Sequence, residues 1–198
     1  MNLWDERYSA VEWAFGTEPN DFLRDHTGEL PSGRVLCVGD GEGRNGVHLA
    51  GAGFDVTSID LSAVGLAKAH RLAAERGVSL TTEVADLTIY DPGIDTWSGV
   101  VSIFCHVPSA VRAVAYRRLV AGLAPGGVFL LEAYTPDQIG RGTGGPQDPD
   151  LTCTSSQLQQ ELSGLEVMHL WEGLRNVVEG PLHSGTAAVV QFIGRKPA

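Results

Sequence analysis

Long apolar runs are missing from this sequence. No stretch approaches the ~18–20 residues that a membrane span requires, and Met1 is followed by polar residues rather than by the apolar core of a signal peptide. Neither a membrane protein nor a secreted one is expected. Cysteine is scarce: Cys37, Cys105 and Cys153 are odd in number, widely spaced and never in a C-x-x-C pair. That usage excludes a disulfide framework and fits a reduced, cytoplasmic setting. The six histidines show neither H-x-H nor H-E-x-x-H spacing, so no bound metal is expected. Basic charge is also short. Lys and Arg number 14 against 24 Asp and Glu, a net charge of −10, whereas a nucleic-acid partner calls for a basic surface that displaces counterions. Arg112, Arg117 and Arg118 form the only local basic cluster and are expected on a solvated helix face.

What the sequence does have is 198 residues, 43% of them apolar, enough for one substantial core and a single domain over residues 1–198. Its organising stretch runs from Arg34 to Asp60, R-V-L-C-V-G-D-G-E-G-R-N-G-V-H-L-A-G-A-G-F-D-V-T-S-I-D. Val35, Leu36 and Val38 make a short apolar run like that of a strand buried on both faces. Gly39, Gly41 and Gly43 follow, then a helical pattern with Val47, Leu49 and Ala50 on one face. Phe54 to Ile59 has the β-branched content of a second strand, closed by Asp60. Glycines let a backbone approach a ligand, the helix start beyond them offers free N–H groups, and an acid at the second strand's tip accepts ribose hydroxyls. The unit therefore reads as an adenosine site. Gly41, Gly43 and Gly46 satisfy the dinucleotide fingerprint G-x-G-x-x-G. That fingerprint begins directly after its strand, however, where Gly39 already stands. Counted from Gly39 the pattern is G-x-G-x-G, and the third dinucleotide glycine falls on Arg44. A pyrophosphate needs the close helix approach that glycine permits, whereas S-adenosylmethionine carries no phosphate.

G-D-G-E-G-R-N, with Asp60 ending the next strand, resembles the first two motifs of the class I S-adenosylmethionine-dependent methyltransferases. L-A-P-G-G at residues 123–127, placed after a fourth strand, strengthens the resemblance. The head W-D-E-R-Y, followed by G-T-E-P-N-D-F-L, resembles the small-molecule subgroup that includes tellurite-resistance and thiopurine methyltransferases. One departure stands out. The acid that those enzymes usually carry two residues before the first glycine is here Cys37, and Asp40 would supply the negative charge from inside the loop. The resemblance implies an α/β fold, a doubly wound Rossmann-like sheet of seven strands in the order 3-2-1-4-5-7-6 with the last strand antiparallel. It implies S-adenosyl-L-methionine as cofactor and methyl transfer to a small molecule. The cofactor would be held by Gly39, Asp40, Gly41 and Gly43, by Asp60 with Leu61 at the ribose, by Asp86 with Leu87 at the adenine, and by Phe104. Asp86 is equally a good helix N-cap residue.

The remaining readings concern the acceptor side. Gly99 to Cys105 is the fourth, central strand, and at its carboxyl end, where open α/β sheets hold their ligands, His106 is the candidate general base; packing or capping there is the plainer reading. Arg141, Arg175 and His183 fall on predicted loops, either binding an anionic acceptor or facing solvent. Glu132 and Tyr134 are expected to line the pocket. Val78 to Val84 reads as the third strand. Leu165 to Trp171 and Ala187 to Ile193 read as the final strands, and their connection is too short for a helical crossover, which makes them antiparallel neighbours. The head, residues 1–30, contains a helix-compatible run with Trp4, Tyr8 and Val11 on one face, and Thr135 to Asp150 is a long Gly- and Pro-rich loop; both are expected to act as lids. Two other functions share these features: a protein that keeps the S-adenosylmethionine pocket without transferase activity, and, third, a dehydrogenase.

Overall fold

A computed structural model describes residues 2–9 and 12–198. Seven strands form one sheet in the order β3-β2-β1-β4-β5-β7-β6. They are β1 (Arg34–Val38), β2 (Asp55–Asp60), β3 (Thr81–Val84), β4 (Trp97–Ile103), β5 (Leu123–Tyr134), β6 (Glu166–Val178) and β7 (Ser184–Arg195). The first five are mutually parallel, and β7 runs antiparallel to both β5 and β6. Order and polarity are those expected from the sequence. The alternating side chains of β1 explain the two cores. Val35 and Cys37 pack with Leu23, Leu49 and Leu130 on one face; Leu36 and Val38 pack with Leu119, Phe129 and Leu158 on the other. The chain winds outward from β1 to β3 and then returns to β4, so the crevice above β1 and β4 is the switch point where such sheets bind ligands.

The helices are α1 (Leu3–Tyr8), α2 (Asp21–His26), α3 (Arg44–Gly51), α4 (Ala63–Glu75), α5 (Ser109–Gly122) and α6 (Ser155–Glu161). Their starts are legible. Asn2 and Asp5 form a capping box on α1, Ser62 caps α4, and Thr154 and Gln157 form a capping box on α6. No helix among the described residues is long and apolar enough to cross a membrane.

Several boundaries differ from the sequence reading. The helix in the head stops at Tyr8, leaving Trp13 outside it, and Val11 lies outside the described residues. The third strand begins only at Thr81, because Val78 N–H is drawn back to the Ala73 carbonyl to close the end of α4. The last two strands are much longer than expected and form a hairpin turning at residues 179–183. Most of the connection expected between residues 171 and 187 is strand, because full-length pairing with β7 overrides local preference. Arg112 is buried rather than solvated: its guanidinium donates twice to Glu161 and once to the Thr152 carbonyl, pinning α5 to α6.

Candidate active site

A cavity of about 760 Å³ opens over the carboxyl ends of the central strands, within the ~300–1,000 Å³ range of small-molecule sites. Gly39, Asp40, Asp60, Leu61, Asp86, Leu87 and Phe104 line it, and so does His106. Gly41 and Gly43 are not among the residues that line it. The loop holds Gly39, Gly41 and Gly43 at φ +62°, +57° and +84°, and each is glycine because of what crowds it. A Cβ on Gly39 would collide with Cys105, one on Gly41 with the Tyr8 hydroxyl, and one on Gly43 with Ala69 of α4. The motif thus packs the loop against β4, the head and α4, and only Gly39 faces the cavity.

Asp60 is buried at the tip of β2. Its Oδ2 accepts the Gly41 N–H at 2.9 Å and its Oδ1 the Ser62 N–H at 2.8 Å. A carboxylate offers about four lone-pair sites, so two remain for the ribose hydroxyls of an adenosine. Burial pushes its carboxyl up to about 6; the two N–H donors oppose that shift, and the charges of Asp40 and Asp5 add to it. A desolvated acid with spare acceptors fits the nucleoside well. Replacing it by asparagine is expected to weaken S-adenosylhomocysteine binding about ten- to a hundredfold, the ~1.5–3 kcal/mol of a charged hydrogen bond. In the native protein affinity is expected to fall as pH drops below about 6, because protonation removes the acceptor charge. Calorimetry across pH checks both, and unchanged affinity in Asp60→Asn would place the ribose elsewhere.

Asp40 lines the cavity, but its carboxylate turns inward. It accepts from the Ser58 hydroxyl at 2.6 Å and from the Gly46 N–H, bracing the start of α3 against β2. It is therefore committed to the loop rather than free to replace the acid missing at Cys37. Asp86 lies exposed and lines the cavity; its Oδ1 accepts the Thr88 N–H at 2.8 Å in a turn, and no helix starts there, so it is not a helix N-cap.

Glu42 was not singled out by the sequence, where it looks like any solvated loop acid. Here it is buried. Its Oε1 accepts from Lys68 at 2.7 Å, while its Oε2 accepts from the N–H groups of Ala14 and Phe15. The head is thereby tied to the glycine loop. Its other end is latched by Asn2 to the Leu61 carbonyl and by the Ser62 hydroxyl to Asp5. Trp4, Tyr8 and Phe15 consequently line one side of the cavity, and Gly145 and Pro146 of the long loop line it as well. Trp13 points elsewhere, against Arg71 and Lys68.

At the end of β4 the chain turns sharply, with Phe104 at φ +51°. A bulky residue in that region costs on the order of 1–3 kcal/mol, and such strain gathers at functional sites. The turn brings Phe104, Cys105 and His106 into the wall. Burial pushes the Cys105 thiol up to about 12, so it stays protonated. It pushes His106 down to about 4, against a smaller upward pull from the Leu151 backbone. His183 arrives from the tip of the β6–β7 hairpin, also in the lining, and is pushed down to about 3 by burial and by neighbouring cations.

The other acceptor candidates separate from the site. Arg175 is a strand residue whose guanidinium is used up: it donates twice to Glu132, at 2.7 and 2.6 Å, and once to Glu179 at 2.7 Å. Asn20 and Gln191 also donate to Glu132, and Arg44 pairs with Glu179 at 2.6 Å. This buried network joins head, glycine loop and the last three strands. Glu132 and Tyr134 sit wholly buried and outside the lining. Arg141 is exposed and donates to the Asp137 carbonyl.

Comparison with known proteins agrees with this geometry. Residues 35–127 match a methyltransferase domain family. A 2-heptyl-1-hydroxyquinolin-4(1H)-one methyltransferase of Mycobacteroides abscessus is 28% identical over 134 residues, 63% of this chain and 59% of its own length. The chain thus matches somewhat under two thirds of that relative. Among solved structures, one from work on conversion of a disulfide bond into a thioacetal group during echinomycin biosynthesis has a TM-score of 0.75 at 20% identity, covering 98% of this chain and 88% of the other. TehB from Haemophilus influenzae has a TM-score of 0.70 at 19% identity, covering 98% and 65%. Residues 35–127 thus match a methyltransferase domain, and the sheet order, the glycine loop and the acid at the tip of β2 are those of the class I S-adenosylmethionine-dependent methyltransferase fold. S-adenosyl-L-methionine is the cofactor of that class.

Proposed function

We propose that this protein transfers the methyl group of S-adenosylmethionine to a small-molecule acceptor. The observation that carries the reading is one cavity lined both by Asp60, which ends β2, and Asp86, just past β3, and by His106 and His183. Bound there, the cofactor supplies an electrophilic sulfonium methyl. Gly39 leaves room for it beside Cys105, Asp60 takes the ribose, and Asp86 and Leu87 border the adenine. The protein's main contribution is to hold the acceptor close and aligned, while the head and the long loop keep water out. His106 receives the acceptor's proton. The relative from Mycobacteroides abscessus, named for a small hydroxyquinolone, supports an acceptor of that size.

A dehydrogenase reading is disfavoured by Arg44. It occupies the third-glycine place at the start of α3 and is buried and bound to Glu179. The test is twofold. S-adenosylhomocysteine at ~100 times its dissociation constant adds ~2.7 kcal/mol, a melting shift of roughly 5–10 °C for a domain of this size, and NAD should give none. Incubation with S-adenosylmethionine and a panel of hydroxyl, thiol, amine, carboxylate and metalloid acceptors should then release S-adenosylhomocysteine. A shift with NAD alone would overturn the cofactor. Binding without turnover on any acceptor would favour a binding or regulatory protein.

A further inference from the structure

We propose that the end of the cavity between His106 and His183 takes an uncharged, planar aromatic bearing one ionisable hydroxyl, a phenol or hydroxy-heteroarene, and that His183 selects for that hydroxyl. This rests on the methyl-transfer reading and narrows it.

The wall there is made of rings. His183 lies 4.6 Å from Phe15 and 5.0 Å, edge-on, from Phe104, ring centre to ring centre. Behind the wall, the buried Tyr134 ring backs both Phe104, stacked on it at 4.5 Å, and His106, stacked at 5.5 Å with the planes 17° apart. Flat, offset and edge-on surfaces of this kind suit a planar ring. The strained turn at Phe104 is what sets two of these rings into the wall. In both imidazoles Nδ1 is buried without a hydrogen-bond partner. Each ring therefore brings to the cavity wall a polar group that the described residues leave unsatisfied. Two imidazoles in a wall that also holds Phe15, Phe104, Val111, Leu151 and Leu182 match a flat, largely apolar molecule with a hydroxyl.

Charge narrows the class further. Arg44 and Arg175 are held by Glu179 and Glu132 and are not free for an anion. Arg7 also lines the cavity, but it lies over the Trp4 ring, 5.0 Å from its centre. Both imidazoles are neutral at pH 7, which the arginines around them and burial reinforce. A carboxylate placed between them would meet two neutral imidazoles, its one counter-charge in the lining outside the Glu179 network being Arg7 over Trp4, whereas a neutral hydroxyl can donate to one imidazole and accept from the other.

The transfer balances without any further reactant. A lone pair of the acceptor oxygen forms the new C–O bond, and the S–CH₃ bond breaks with its electron pair remaining on sulfur. The hydroxyl proton passes to the neutral imidazole of His106 and leaves as the imidazolium returns to neutral. The sulfonium charge disappears in the same step, so the imidazolium forms as the neighbouring positive charge is lost.

The experiment is calorimetry of the S-adenosylhomocysteine complex with three matched probes: 1-naphthol, naphthalene and 1-naphthoate. The native protein is expected to bind 1-naphthol about tenfold more tightly than either of the others, the worth of a good hydrogen bond. His183→Phe keeps a ring in the wall and is expected to abolish the advantage of 1-naphthol over naphthalene while leaving naphthalene binding unchanged. In turnover it raises KM for hydroxyl acceptors with little change in kcat. Tighter binding of 1-naphthoate, or an unaltered preference in His183→Phe, overturns the proposal, and the comparison in the native protein needs no variant. Failure of S-adenosylhomocysteine itself to bind overturns the cofactor reading and this inference with it, and is seen before any probe is added.

Discussion

Replacing His106 by alanine is expected to slow single-turnover methyl transfer by ~10²–10⁴ while cofactor affinity stays the same. The imidazole lies in the cavity wall just past the carboxyl end of β4, whereas Asp60 and Asp86, the residues proposed for ribose and adenine, lie at or just past the ends of β2 and β3. Its interaction is with a proton that moves only in the transition state, so its loss lowers kcat and kcat/KM together. Burial that holds the group down to about 4 also predicts the pH profile. A base is active when unprotonated, so the native rate rises with pH through about 4 and has no acid limb near the ordinary histidine value of ~6.5. The measurement belongs at saturating cofactor, where the titration of Asp60 near 6 no longer affects occupancy. Rapid-quench kinetics on native and variant proteins check both. A variant with the native rate and profile removes His106 from the chemistry.

The second large effect is on stability. Glu132 is fully buried and accepts four hydrogen bonds, two from Arg175 and one each from Asn20 and Gln191. Glu132→Ala strands those donors and leaves Arg175 with Glu179 and, more distantly, Asp21. Breaking a buried pair by removing one partner costs ~3–5 kcal/mol. At roughly 2–4 °C per kcal/mol for a chain of this length, the melting temperature is expected to fall by about 6–20 °C. Removing both charges with apolar side chains, as in Glu132→Leu with Arg175→Met, is expected to recover much of the loss, because no uncompensated charge remains. Thermal unfolding of the single and double variants decides. A single variant that melts within ~2 °C of the native protein would show that the network contributes little.

Most of the architecture was legible because local patterns and global topology agree. The run Val35 to Val38, the caps at Ser62 and Thr154, and the strand-like segments after Asp60 each say the same thing about the sheet. The cofactor side was legible for the same reason, since a glycine loop followed by an acid at the next strand's tip is a local signal. What stayed hidden depends on long-range pairing. Glu42 looks like a solvated acid until the head folds over it and Lys68 reaches it from α4. Arg175 reads as a loop cation because nothing nearby in sequence announces Glu132, 43 residues away. At Gly41 and Gly43 the close approach that glycine allows is made by Tyr8 and Ala69, which no local pattern announces. The same limit applies to His183, whose place among the rings is set by a hairpin longer than the two strands expected from the sequence.

The central claim is that a methyl group moves, within this one cavity, from S-adenosylmethionine to a small molecule. Mass spectrometry of an acceptor panel after a single turnover with cofactor labelled at its sulfonium methyl tests it most directly. The account predicts a labelled methyl on the oxygen of a hydroxyl-bearing aromatic and one equivalent of S-adenosylhomocysteine, both greatly slowed in His106→Ala. Tight S-adenosylhomocysteine binding with no labelled product from any acceptor would contradict it.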